Sequence, residues 1–90
     1  EADQYLLQYH DLAERSIYWL RLAALYPEKI DRVEFFLNGN KVYTCYDEPY
    51  MLNYCVNFFQ LPWHRQSAAE RWTAHIHLRN GQLIEKSITI

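Results

Sequence analysis

Glycine is nearly absent. Gly39 and Gly81 are the only two in a chain of 90 residues, where ordinary usage near ~7% would give about six. Each follows an asparagine, so glycine is kept for turns. That is the economy of an idealised backbone and admits a designed chain with no natural function, although two cysteines and four histidines point the other way. No run of about 18 apolar residues occurs, so no helix of this chain is expected to span a membrane. No signal-peptide pattern is present. The chain starts at Glu1 rather than methionine, as expected of a processed product or a piece cut from something longer. No charge of one sign dominates: nine basic and eleven acidic residues are interspersed, with a net charge of −2. A nucleic-acid partner needs a basic stripe, so none is expected. Dinucleotide, phosphate-loop, zinc-protease, paired-cysteine and serine-elbow motifs are all missing. Neither a cofactor nor catalysis is therefore expected.

What is present is apolar and aromatic. Half of the residues are hydrophobic and 17% are aromatic, with eight tyrosines and three tryptophans. That rules out a disordered tail and exceeds what one small core consumes. Some aromatics are expected on a pocket wall or an interface. Ninety residues suit one domain.

Residues 2–26 read as one helix. Tyr5, Tyr9, Leu12, Ser16, Trp19, Ala23 and Tyr26 form a stripe at heptad-like spacing, and Pro27 ends it. The second half, WLRLAALY, is apolar almost all round, so it is expected to be covered on more than one side. The remainder reads as strands at about 33–37, 41–46, 52–59, 71–78 and 83–90. Asn38-Gly39 is a strong hairpin signal. A two-residue loop there pairs Phe36 with Lys41 and Glu34 with Tyr43. It turns Val42, Thr44 and Tyr46 inward, and Tyr43 and Cys45 outward. Residues 67–79 carry two signals: Ser67 to Glu70 is a capping box, but Trp72, Ala74, Ile76 and Leu78 alternate as a strand does. The strand is preferred. Asn80-Gly81 then turns the chain, and matching Ile84 and Ile88 to the Trp72 face needs an odd-numbered loop or a bulge. The expected fold is α+β, with an N-terminal helix packed on an antiparallel meander of four to five strands.

A hairpin centred on Tyr50 would set Cys45 opposite Cys55 on the outer sheet face. Unlinked thiols packed as small hydrophobes are the preferred reading, with a disulfide and a metal site as alternatives. The metal alternative adds His75 and His77, which alternation places on that same face, to make a two-cysteine, two-histidine zinc set. Asp47-Glu48 is a turn pair of solvated acids.

A non-catalytic interaction or scaffolding module is the preferred function. It would bind a protein partner or itself through the apolar helix or an outer aromatic face of Phe36, Tyr43, Tyr50 and Phe59. The alternative is a small-ligand binder or small enzyme. A helix on a curved antiparallel sheet is similar to the cone-shaped folds of the nuclear-transport-factor-2-like and cystatin-like classes. The likeness implies a pocket between helix and sheet, lined here by Tyr9, Trp19, Tyr46, Tyr54, Trp63 and Trp72. A periplasmic domain of a bacterial secretion or pilus component is a third reading.

Overall fold

The structure, a computed structural model, describes residues 4–12, 16–55, 59–60 and 62–90. Where the sequence predicts a helix, it has a hairpin. Strand β1 (Tyr5–Leu12) pairs antiparallel with β2 (Ile17–Ala24), Tyr5 against Ala24 and Leu12 against Ile17. No α-helix occurs among the described residues, and none of their helices is long and apolar enough to cross a membrane. The expected α+β fold is thus replaced by an almost wholly β one. The reason lies in the ambiguity of apolar runs, which fit helix and strand templates alike. The same residues also alternate. Tyr5, Leu7, Tyr18, Leu20 and Leu22 are buried, while Leu6, Trp19 and Arg21 are exposed. Helix-forming Leu, Ala and Gln are only a weak prior, and strand pairing with its burial of one face overrides it.

Seven of the strands make two sheets. A three-stranded sheet has the order β1-β2-β7, and a four-stranded sheet the order β4-β3-β8-β9. The strands are β3 (Ile30–Leu37), β4 (Asn40–Cys45), β7 (Trp63–His64), β8 (Arg71–Leu78) and β9 (Leu83–Thr89). A 3-10 turn at Pro27–Lys29 carries the chain from one sheet to the other. Among the described residues, short β5 (Tyr54–Cys55) and β6 (Phe59–Gln60) pair only with each other. The expected strand 52–59 is thus broken, and its residues 56–58 lie outside the described residues. All ladders are antiparallel. With β5 and β6 set aside, this Greek-key connection is the layout of immunoglobulin-like sandwiches, except that β4 joins β3 rather than the sheet of β1. The architecture alone carries no function.

The hairpin β3–β4 turns at Asn38-Gly39 with φ of 48° and 89°, the left-handed pair that a two-residue loop needs. Phe36 faces Lys41, as the pattern predicts. The register then shifts by one, so Phe35 faces Tyr43 and Glu34 faces Thr44. Val42 is the extra residue. A one-residue bulge moves every later side chain to the other face. Tyr43 therefore packs against the core and Cys45 is buried, while Tyr46 is 66% exposed. These positions correct the expected parity.

The predicted hairpin around Tyr50 is also absent. Cys45 pairs with Val33 at the sheet edge, and Cys55 pairs with Phe59 in the separate ladder. The chain instead crosses to the other sheet. Leu22 N–H donates to Tyr50 O at 2.9 Å, and Leu52 N–H donates to Leu20 O at 3.0 Å. Farther along the same strand edge, β7 pairs with Ile17 and Tyr18. The edge of β2 is thus lined by two separate stretches, 50–52 and 63–64.

Residues 71–78 are strand, not helix. Beyond them Leu78 N–H donates to Gln82 O at 2.9 Å across a three-residue loop closed by Gly81 at φ 90°. This odd-numbered loop sets Trp72 against Ile88 and Ile76 against Ile84. One core results. Tyr18, Leu20 and Leu22 from one sheet meet Val33, Phe35, Trp72, Ala74 and Ile76 from the other. Each fully buried large side chain contributes roughly 1.5–3 kcal/mol.

Candidate functional site

The two sheets are joined near one end, at the start of β2 and of β8, by a buried polar relay. Trp72 Nε1 donates to Tyr18 Oη at 2.6 Å, and Tyr18 Oη donates to Glu70 Oε1 at 2.6 Å. Glu70 Oε2 accepts from Gln66 N–H at 2.9 Å. Glu70 is fully buried. Burial, and then the Glu70 bond, raise the Tyr18 phenol well above its ordinary range. The Arg65 guanidinium lies over the Tyr18 ring at 5.6 Å, and its Nη1 donates to Ile90 O at 2.9 Å. The relay is closed to solvent and welds the fold. It is not an accessible site.

The outer face of the four-stranded sheet carries the histidines. His77 Nε2 meets Glu34 Oε1 at 2.5 Å, and Lys41 Nζ reaches Glu34 Oε2 at 3.4 Å. Burial pushes the Glu34 carboxyl up, but the His77 and Lys41 bonds outweigh it and hold the group below its ordinary value. His75 lies 3.2 Å from Glu85 and packs on Phe36 with ring centroids 4.3 Å apart. A depression of about 500 Å³ beside His77 is lined by Asp31, Arg32 and Arg79. Asp31 and Arg32 pair with each other at 2.8 Å. This face is charged, and Glu34, Lys41, His75, His77 and Glu85 on it are paired with one another.

The outer face of the three-stranded sheet is different. A groove of about 530 Å³ at β1 and β2 is lined from this face by Gln8, His10, Trp19 and Arg21, and also by Met51, by Leu7, Tyr9 and Leu20 of the opposite face and by Ile88 of β9. Alternation puts Gln8 and His10 on the outer face of β1, and Trp19 and Arg21 opposite them on β2. Trp19 is 36% exposed. Its ring and that of His10 lie nearly parallel, 17° apart with centroids 6.0 Å apart. Arg21 Nε donates to Gln8 Oε1 at 2.9 Å. That bond fixes both planar groups side by side. It leaves the guanidinium's two terminal nitrogens and the Gln8 amide nitrogen with no partner among the described residues. Arg21 also bridges to Met51 through the backbone. The lining holds no carboxylate.

The residues singled out from sequence are scattered. In the expected aromatic face, Phe36 is outward on β3, Tyr43 is turned inward and Tyr50 is buried. Burial raises the Tyr50 phenol, with the Glu48 charge adding to it. The side chain of Phe59 lies outside the described residues. Of the expected pocket lining, Tyr9 and Trp19 share the groove. Trp63 and Trp72 instead meet edge to face in the core at 5.1 Å. Tyr46 is exposed elsewhere, and the Tyr54 side chain lies outside the described residues. No α-helix occurs among the described residues to make a pocket against the sheet. The four-residue metal set is not assembled either. Cys45 is a buried free thiol on the inner face, His75 and His77 are on the outer one, and the Cys55 side chain lies outside the described residues. No metal-holding group of three or more such residues occurs among the described residues. Burial pushes the Cys45 thiol up to about 11, against a bond from its Sγ to Met51 O.

Gln8, His10, Arg21 and Met51 were not singled out as site residues. Their signal was the strict alternation of Tyr5-Leu7-Tyr9 with Leu6-Gln8-His10, hidden beneath a helical spacing. The chain matches no protein-family model, no curated protein and no solved structure.

Proposed function

We propose that the chain is a non-catalytic recognition module whose working surface is the groove over β1 and β2. One observation carries the reading. Trp19 lies partly exposed on the three-stranded sheet, beside a Gln8–Arg21 pair with unused hydrogen-bonding capacity. Binding sites combine apolar area with a few placed polar groups, and Trp and Arg dominate binding hot spots. The acid–base pairs support the non-catalytic reading by their position. His75–Glu85 and His77–Glu34 sit on the other sheet, away from this groove.

A ligand-independent test is a fragment screen followed by two-dimensional NMR. Small aromatic and polar fragments are expected to shift the Trp19 indole and Arg21 side-chain signals together. Shifts scattered over the surface, or gathered at the Asp31–His77 depression, would overturn the reading.

A protein partner or a second copy covering the same face is a second reading. Leu6, on this face and 54% exposed, favours it. Sedimentation velocity across a concentration series tests the second copy. A dimer abolished by Leu6→Asp is the expected sign, and a monomer throughout removes it.

A further inference from the structure

We propose that the groove over β1 and β2 takes a sugar ring, so that the chain is a carbohydrate-binding module. The inference rests on the groove being the working surface and adds the class of ligand. A pyranose has one face of axial C–H groups and a rim of hydroxyls. Its C–H face carries partial positive charge, which is attracted to the negative face of an aromatic ring. Its vicinal hydroxyls ask for paired, planar donors and acceptors at fixed spacing. The groove offers both. Trp19 supplies a partly exposed ring on the groove wall. Across the strand pair, Gln8 and Arg21 hold each other in place at 2.9 Å. A fork so fixed loses little side-chain freedom on binding. His10 stacks nearly parallel to Trp19, with centroids 6.0 Å apart, and brings a ring nitrogen beside it.

Other ligand classes fit less well. A metal ion needs carboxylate, thiolate or several imidazoles, and the lining has His10 alone. A polyanion needs several cations, and the lining has one arginine. A protein partner needs about 800 Å² a side with an apolar centre. Much of the exposed apolar bulk lies elsewhere: Leu25 and Tyr26 follow β2, Val42 and Tyr46 belong to the β4 region, and Leu83 opens β9.

The test is affinity electrophoresis of the whole chain in native gels cast with hydroxyethylcellulose, xyloglucan, galactomannan, soluble xylan or polygalacturonate. A reference protein corrects for sieving. Retardation in at least one gel is expected, lost in Trp19→Ala and weakened in Arg21→Met, with Trp19→Phe retaining part of it. Circular dichroism and the urea midpoint of each variant show that the fold persists. Retardation confined to polygalacturonate and lost in Arg21→Met would assign an acidic sugar. Wild-type migration unchanged in every gel would overturn the proposal, as would equal retardation of Trp19→Ala. If the fragment screen still converges on Trp19 after such a failure, the groove stands and only the sugar falls. If both fail, the groove is not the working surface.

Discussion

Tyr18 and Glu70 are 52 residues apart in sequence and 2.6 Å apart in the buried interior. The phenol belongs to β2 and the carboxylate precedes β8, so this bond and its continuation to Trp72 tie the two sheets together. Both hydrogen-bond partners of the Glu70 carboxylate are donors: Tyr18 Oη on one oxygen and Gln66 N–H on the other. Glu70→Gln replaces one acceptor with an NH₂ group that must face a donor. The near-isosteric change should cost about 1–3 kcal/mol. Tyr18→Phe should cost a similar amount, since it strands the Trp72 indole N–H and one Glu70 oxygen. The double variant should cost less than the sum, because both changes break one network. Urea unfolding midpoints at constant slope measure all three. Additive costs would show that the relay does not act as a unit.

Trp72 and Trp19 should behave oppositely. Trp72 is fully buried, and Trp72→Ala should cost roughly 3–5 kcal/mol. Trp19 is 36% exposed, and Trp19→Ala should cost no more than about 1 kcal/mol. Thermal and urea denaturation would show the contrast. It is also what allows Trp19 to be tested for binding without loss of the fold.

Cys45 should resist thiol reagents in the native state. Its thiol is buried and raised to about 11, so little thiolate exists near neutral pH. In a Cys55→Ser variant, labelling by a disulfide reagent should follow local opening or unfolding and accelerate sharply in urea. Fast labelling in buffer would mean that the β4 edge opens readily.

Glu34 should lend acid-sensitive stability. Its folded carboxyl is held below the ordinary value of 4.5. The unfolded state therefore binds the proton first as pH falls. The contribution is fully present above the ordinary value and is lost as pH drops through the lowered folded value. The pair is partly solvated, so it is worth about 1 kcal/mol at most. Glu34→Gln should lower the urea midpoint at neutral pH, and the two curves should converge in acid. Parallel curves down to the lowest pH would remove the ion pair as their cause.

Gly39 sits at φ 89° with nothing within 4 Å of where a Cβ would lie. Gly39→Ala should therefore cost backbone strain alone, about 1 kcal/mol. A stability loss well above that, measured by thermal unfolding, would mean that the turn nucleates more of the sheet than the β3–β4 hairpin.

The sequence by itself determined the turns, one face of β3 and the buried face of β8. Asn38-Gly39 and Asn80-Gly81 were legible because left-handed backbone has a local chemical signature. Val33, Phe35, Trp72, Ala74 and Ile76 were legible because period-two alternation over a half-buried strand has few competitors. Only the tertiary structure decided the rest. Residues 5–24 satisfy helix and strand spacing at once, and pairing Tyr5 with Ala24 settles it by burying Leu7, Leu20 and Leu22 against the second sheet. Val42 bulges, and that single extra residue exchanges the inside and outside of β4. The groove depends on the first of these: Gln8 and Arg21, thirteen residues apart, become neighbours only when the β1–β2 ladder sets them side by side. No local preference encodes that, because the free energy that selects it comes from the shared core.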